Sequence, residues 1–297
     1  MERLRTLFVS LYLPLVTALG TMALVQVAPA QPGWYGAALA CLALPVWLVL
    51  LRLRHPPRER AHLPVVTLLV WIGACLALWG TLLDDNPAWQ PVVCAALAAG
   101  GYLVFLLWPG SRHALAQVPQ PGSAVLPLPL ALADGTPVAQ ALEDRAALWL
   151  FFRGNWSPLC KGQVAELVRW QPALAARRAR LVLVSQQPAA RTRALLGPEA
   201  ADVLICQDRE LAAARRLGLL RRGAVPLWWR LFGHGADTVQ PALMLTDAEG
   251  DLLRLAVSEN DYARPAPAAL LNLLGRNENS GAEGGRVAPP AHGTDGA

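Results

Sequence analysis

The chain has 297 residues, a formal net charge of +5, and a composition that is 54% hydrophobic but only 16% charged. That length holds two modest domains, and the charge falls well short of the roughly 25% usual in a soluble domain. The positive excess is arginine, with Lys161 the sole lysine, and no reading motif accompanies it, so nucleic acid is not an expected partner.

Four apolar runs fill the first third, at about 7–27, 34–51, 63–83 and 89–108. Each approaches the roughly 20 residues a helix needs to cross a bilayer. Trp34, Trp89 and Trp108 stand near their ends, as interfacial anchors do. A cleaved leader accounts for the first run at most. Buried soluble helices are the other reading, and four successive runs with charge only between them argue against it. The connections set an orientation. Arg3 and Arg5 precede the first run, Arg52, Arg54, Arg58 and Arg60 follow the second with His55 and His62, Asp84 and Asp85 follow the third, and Arg112 and His113 follow the fourth. Cationic loops favour the cytoplasmic side, so the N-terminus and everything after the fourth run are expected in the cytoplasm.

Residues 109–122 read as a linker. Beyond it, LPLPLALADGTPV suggests a hairpin turning at Asp134-Gly135, and 139–145 suggests a short helix. ALWLFF (147–152), ARLVLVS (179–185) and ADVLICQD (201–208) read as buried strands, with helices expected after 160, bent at Pro172, and at 189–196. ELAAARRLG is a helix stopped at Gly218, opened by Asp208 and Glu210. Residues 219–239 look irregular. PALMLTDAEGDLLRLAVS reads as two strands joined at 248–250, and 265–274 as a closing helix. The tail from 277 is expected to be disordered. The expected units are a four-helix transmembrane region (1–108), the linker (109–122), an α/β domain with a mixed sheet (123–276) and the tail (277–297). Strand–helix alternation implies parallel strands with right-handed crossovers, whose carboxyl ends carry sites.

One such end is FFRGNWSPLCKGQ (151–163), where Cys160 opens a helix. A thiolate there is favoured by the helix dipole and free backbone N–H groups. Arg153 and Lys161 lie close in sequence. Ser157 suits a helix N-cap or a hydrogen bond to the sulfur, and Pro158 suits the first helical turn. An inert packing cysteine is the bland reading of Cys160. Cys41, Cys75 and Cys94 lie in the apolar runs and read as packing residues. Cys206 reads as a buried strand residue, with a resolving thiol as the weaker alternative. It should lie about two strand spacings from Cys160, roughly 10 Å, against the 7 Å or so a disulfide allows. Trp156 reads as a wall of the site, His234 as a solvated loop residue, and Trp228 and Trp229 as packing on the domain or touching the bilayer surface. Arg177, Arg178, Arg180, Arg215, Arg216, Arg221 and Arg222 read as solvated helix ends or contacts with lipid heads. No phosphate loop or metal-ligand spacing appears, so no cofactor or metal is expected.

Four pieces in this order, FFRGNWSPLC, ARLVLVSQ, QPALMLTDAEGDLL and DYARPAP, resemble the thioredoxin fold in its peroxiredoxin form, within the alkyl hydroperoxide reductase/thiol-specific antioxidant superfamily. The resemblance covers about 122–276. It implies that Cys160 is a peroxidatic cysteine whose sulfur attacks a peroxide oxygen to give a sulfenic acid, with Ser157 at the family's Thr/Ser position. Relatives often carry Cys where Ser157 stands, so disulfide exchange within this turn is excluded. Peroxiredoxins also place an Arg just before the late strand, where this chain has Gln240-Pro241; Arg153 or Arg264 is then the candidate replacement, and Pro241 resembles the cis-proline of thioredoxins. The implied function is a thiol-dependent peroxide reductase in a bacterial inner (plasma) membrane, with the bilayer, a peroxide, and an external reductant (a thioredoxin or small thiol) as partners. A redox-inactive, partner-binding domain on an anchor is the alternative, and a bundle that carries electrons or a solute under a redox-sensing domain is a third.

Overall fold

The computed structural model describes residues 2–27, 31–54, 56, 63–84, 87–108, 118–197, 200, 202–258, 264–267 and 270. The expectations for His55, Arg58, Arg60, His62, Asp85, residues 109–117, 261–263, most of the closing helix and the tail fall outside them.

The four apolar runs form α1 (Glu2–Gln26), α2 (Pro32–Arg54), α3 (Pro64–Leu82) and α4 (Gln90–Leu107), each long and apolar enough to cross a membrane. Small residues decide how they pack. A Cβ on Gly36 would stand 2.1 Å from the Ala77 nitrogen, and one on Gly73 2.5 Å from the Ala40 nitrogen, so α2 and α3 touch backbone to backbone. Small residues serve helix association in this way where no water drives it. The bundle's outer face is apolar: among the described residues, every large exposed hydrophobic except Leu227, Leu231 and Phe232 lies on these helices or at their ends.

The second unit is built on a five-stranded mixed sheet of order β3-β2-β1-β6-β7, comprising β1 (Ala146–Phe151), β2 (Ala179–Ser185), β3 (Leu204–Gln207), β6 (Ala242–Thr246) and β7 (Leu252–Val257). β1, β2 and β3 are parallel, and β6 and β7 are antiparallel to their neighbours. The sheet obeys the two-residue alternation of strands. Leu148, Leu150, Leu181, Leu183, Ile205, Leu243 and Leu245 enter one core with Cys160, Val164 and Leu167 of α6 (Pro158–Arg169). Trp149, Phe151, Val182, Val184, Cys206 and Met244 enter the core on the other face.

Several local expectations change. The hairpin at 126–138 reduces to a single bridge, Ala131 to Pro137, because Pro127, Pro129 and Pro137 have no N–H to donate to a ladder. The helix after Cys160 breaks at Trp170, and α7 (Gln171–Ala175) restarts with Pro172 in its first turn, where a missing N–H costs nothing. The stretch 219–239 is less irregular than expected: β4 (Leu220–Arg221) and β5 (Thr238–Val239) make a small ribbon, and α10 (Leu227–Leu231) lies between them. Asp208 opens α9 (Ala212–Arg216), its carboxylate accepting the N–H groups of Ala213 at 3.3 Å and Ala214 at 2.8 Å.

The two units are tied by polar contacts. Thr6 Oγ1 donates to the Gly223 carbonyl at 2.8 Å, Ser10 Oγ accepts the Leu227 N–H at 3.1 Å, and Glu2 pairs with Arg221. Arg52, in the last turn of α2, donates to the Trp156 carbonyl at 3.3 Å.

The close approach of α2 and α3 carries a stability prediction. Gly36→Leu wedges the two backbones apart and costs about 1–3 kcal/mol, the usual range for overpacking. Gly100→Leu, at a position where an added Cβ meets nothing within 4 Å, leaves the melting temperature of the detergent-solubilised protein near its starting value.

Candidate active site

The turn between β1 and α6 is held by the neighbouring strand's end. Gly154 sits at φ 131°, and a Cβ there would lie 2.9 Å from Gln187 Oε1, so glycine is needed for both shape and space. Gln187 Oε1 accepts the Asn155 N–H at 2.9 Å, and Gln187 Nε2 donates to Thr192 Oγ1 at 2.9 Å. Thr192 Oγ1 in turn lies 3.2 Å from Ser185 Oγ. The sequence reading passed over these three residues, and a polar trio just past an apolar strand was the signal present.

Ser157 occupies the N-cap position with extended backbone (φ −92°, ψ 117°), but its hydroxyl makes no capping hydrogen bond. Its carbonyl accepts the Lys161 N–H at 3.2 Å, starting α6. The expected capping role of the side chain is therefore corrected: the residue caps by backbone conformation only. Cys160 follows in the first turn with no exposed surface. Lys161 is half-buried beside it.

Arg264 is brought to the sulfur. Its Nη2 lies 4.0 Å from Cys160 Sγ and its Nη1 donates to Ser258 Oγ at 3.3 Å, and the residue is 6% exposed. A relay supports that position. The Ser258 carbonyl accepts Gln240 Nε2 at 2.5 Å, Gln240 Oε1 accepts Arg221 Nη1 at 3.0 Å, and Arg221 pairs with Glu2 at the start of α1. The reading of Arg221 as solvated is thus corrected: it is 4% exposed and faces inward. Gln240, fully buried, serves this chain of contacts. The Gln240–Pro241 bond is trans, and the cis X-Pro bond among the described residues stands at Leu126–Pro127. This corrects the thioredoxin-like expectation for Pro241, whose carbonyl accepts the Ser258 N–H at 2.9 Å.

Arg153 does not stand where Arg264 stands. It lines, with Trp156, a cavity of about 540 Å³ whose other lining residues include Gln187, Arg191, Arg209 and His234 and no carboxylate. His234 is no solitary loop residue: its ring lies 5.9 Å from that of Trp156 and 5.5 Å from that of Trp229. Burial, and then the charge of Arg191, hold it below the ordinary histidine value. Trp156 and Trp229 lie 5.6 Å apart, and the Arg52 guanidinium sits 5.5 Å over the Trp229 ring. Trp156 is accordingly a wall residue, bonded by Nε1 to the Arg153 carbonyl at 3.1 Å.

Cys206 pairs in register with Val184 of β2 and packs in the core on the sheet face away from Cys160. The sheet itself stands between the two thiols, so the geometry gives no direct route to the resolving role considered for Cys206. Burial pushes the Cys206 thiol up to about 12. No group of three or more metal-ligating side chains occurs among the described residues.

No protein-family model matches the chain, and no curated protein matches it either. Solved structures similar to it include peroxidoxin BcpB from Mycobacterium tuberculosis, at 20% identity over 53% of this chain and 97% of that one with a TM-score of 0.44. A mutant of peroxiredoxin 6 from Arenicola marina is similar at 14% identity over 60% of this chain and 81% of that one, TM-score 0.46. The yeast mitochondrial 1-Cys peroxiredoxin, described with a thiol resolving mechanism through glutathione and thioredoxin systems, is similar at 12% identity over 60% and 84%, TM-score 0.40.

The opposite placement of the two thiols is testable. Cys206→Ala leaves peroxide oxidation of Cys160 within twofold of the unchanged protein, and native Cys206 resists iodoacetamide at pH 8 while the denatured chain is alkylated there, followed by peptide mass spectrometry.

Proposed function

We propose that the chain is a membrane-anchored thiol peroxidase that reduces peroxides through Cys160. The observation that carries this reading is the Arg264 guanidinium 4.0 Å from Cys160 Sγ, at the first turn of α6. The thiolate attacks the distal peroxide oxygen, the O–O bond breaks, and the leaving oxygen takes a proton to depart as alcohol or water. Arg264 sits where it balances charge on the sulfur before attack and on the leaving oxygen during it. Among the described residues no second cysteine shares the sheet face of Cys160, which favours an external thiol as reductant: it would form a mixed disulfide with loss of water, and a second thiol would free Cys160.

The four helices anchor the domain in a bilayer. The apolar outer face of the bundle supports this, and the arginines at the ends of α1 and α2 nearest the domain support a cytoplasmic side for it. A second reading, a redox-silent domain that binds a partner, draws on the 0% exposure of Cys160, since a thiol with no surface meets no oxidant unless the turn opens.

The discriminating experiment adds hydrogen peroxide to the reduced full chain in detergent, traps sulfenic acid with a dione probe, and follows each cysteine by mass spectrometry. Trapping concentrates at Cys160, and Arg264→Gln slows it 10- to 100-fold while Arg264→Lys restores part of the rate. Oxidation of Cys160 no faster than that of a free thiol, or indifference to Arg264→Gln, would rule out the peroxidase reading in favour of the binding module.

A further inference from the structure

The cavity beside Trp156 is lined by cations and by no acid. Its walls come from the carboxyl ends of all three parallel strands, the edge where open sheets hold ligands. Arg153 and Trp156 follow β1, Arg191 stands on α8 (Ala189–Arg193) after β2, and Arg209 follows β3. His234, from the loop between α10 and β5, joins them. The wall is braced behind these groups, because the Gln187 amide is bonded at both ends, to Asn155 and Thr192.

Guanidinium groups gathered around one cavity repel one another, and arginine cannot shed its proton to relieve the repulsion. The acids nearest in sequence are turned elsewhere. The Asp208 carboxylate accepts the N–H groups of Ala213 and Ala214, and Asp237 Oδ1 accepts the Gly223 N–H at 2.8 Å. Among the described residues, neither Arg191 nor Arg209 forms an ion pair with a carboxylate. Solvated arginines on an open face are the bland account of these two exposed residues. That account leaves out the half-buried His234 among them, which burial and then Arg191 hold below the ordinary histidine value. A charge-rich lining around a half-buried ring is relieved by a bound anion. The planar fork of arginine matches phosphate oxygens two at a time. A volume of about 540 Å³ also leaves room beside a phosphate for an organic remainder, within the usual range of ligand pockets.

We propose that this cavity binds a terminal phosphate monoester, with the phosphate between Arg191 and Arg209 and the organic part against the Trp156 ring. Arg153 adds to the field that attracts it. The site is independent of the chemistry assigned to Cys160. Two sources present the same group at this place. One is a soluble phosphate ester. The other is the headgroup of a phosphatidic acid, because Arg52, in the last turn of α2, donates to the Trp156 carbonyl and sits over the Trp229 ring.

The test reads His234 in the full chain, labelled with ¹³C at histidine Cε1 and held in phosphatidylcholine nanodiscs. The His234→Gln chain assigns the resonance. The groups facing this ring are Arg191, Arg153 and Arg209 of the lining and the rings of Trp156 and Trp229, so a bound phosphate favours the imidazolium. Phenyl phosphate in solution, or phosphatidic acid placed in the disc, raises the His234 titration midpoint by about half a pH unit or more. Combining Arg191→Gln with Arg209→Gln abolishes that rise. Arg178→Gln with Arg254→Gln, exposed positions outside the lining that remove the same charge, leaves it in place. A rise with phenyl phosphate assigns a soluble ester, and a rise with phosphatidic acid alone assigns the lipid headgroup. No rise with either probe overturns the site. So does a rise that survives Arg191→Gln with Arg209→Gln, or one lost equally in both double variants, since the effect is then general charge and not this cavity.

Discussion

The placement of one guanidinium beside one sulfur organises the molecule. Arg264 approaches Cys160 from a segment that follows β7. Ser258 receives it through the hydroxyl, Gln240 holds Ser258 through the carbonyl, and Arg221 holds Gln240. The last contact, to Glu2, lies on α1. A buried arginine in such a chain is costly unless each neighbour is paired, so the membrane-type helix contributes to the state of a site in the other unit. The bundle is more than a tether in this arrangement: α1 supplies the carboxylate that closes the relay, and α2 supplies Arg52 to the carbonyl of Trp156 in the active turn.

The sheet imposes the second constraint. Strand alternation sends Leu148 and Leu150 toward α6 and Trp149 and Phe151 away from it, and every parallel strand follows suit. Cys160 lies on the α6 side and Cys206 on the other. Two spacings between strands had already made a direct disulfide difficult, but opposite faces make it a matter of crossing a packed layer that holds a buried tryptophan bonded to Thr246 at 3.0 Å. A chemistry built on Cys160 then depends on what arrives from outside, and the polar cavity beside Trp156 is where the surface approaches the turn.

Much of this was readable in the sequence. The buried strands, the four apolar runs, the turn through Gly154 and the helix opening at Cys160 each follow from local pattern, because a few adjacent residues fix them. Arg264 was readable as a candidate only through the resemblance, since its distance to Cys160 spans 104 positions. Arg221 was misread because a basic run looks the same whether its members face water or an acid 219 positions away. The face of Cys206 required the register Val184 to Cys206, which alternation within β3 alone does not supply. The silent hydroxyl of Ser157 shows a further limit: the sequence indicates that a serine stands at a cap, but not whether its oxygen turns to the helix.

Thr6 and Ser10 illustrate how local polarity in an apolar run reports tertiary structure. On a helix exposed to lipid all round, hydroxyls are placed at no benefit; each bonds within its own turn, as Thr17 does to Leu13 at 2.8 Å. Thr6 and Ser10 instead reach across to residues 223 and 227. Those two bonds, from buried hydroxyls, satisfy backbone groups at the entrance to α10, and they fix α10 against α1 at a set height. Trp229 is then set against Trp156, and Trp156 against the turn bearing Cys160. The depth of the site relative to the bundle is therefore determined by two hydroxyls spaced one helical turn apart, and a shift of α1 by a turn would break the Glu2 pairing and both hydroxyl contacts together.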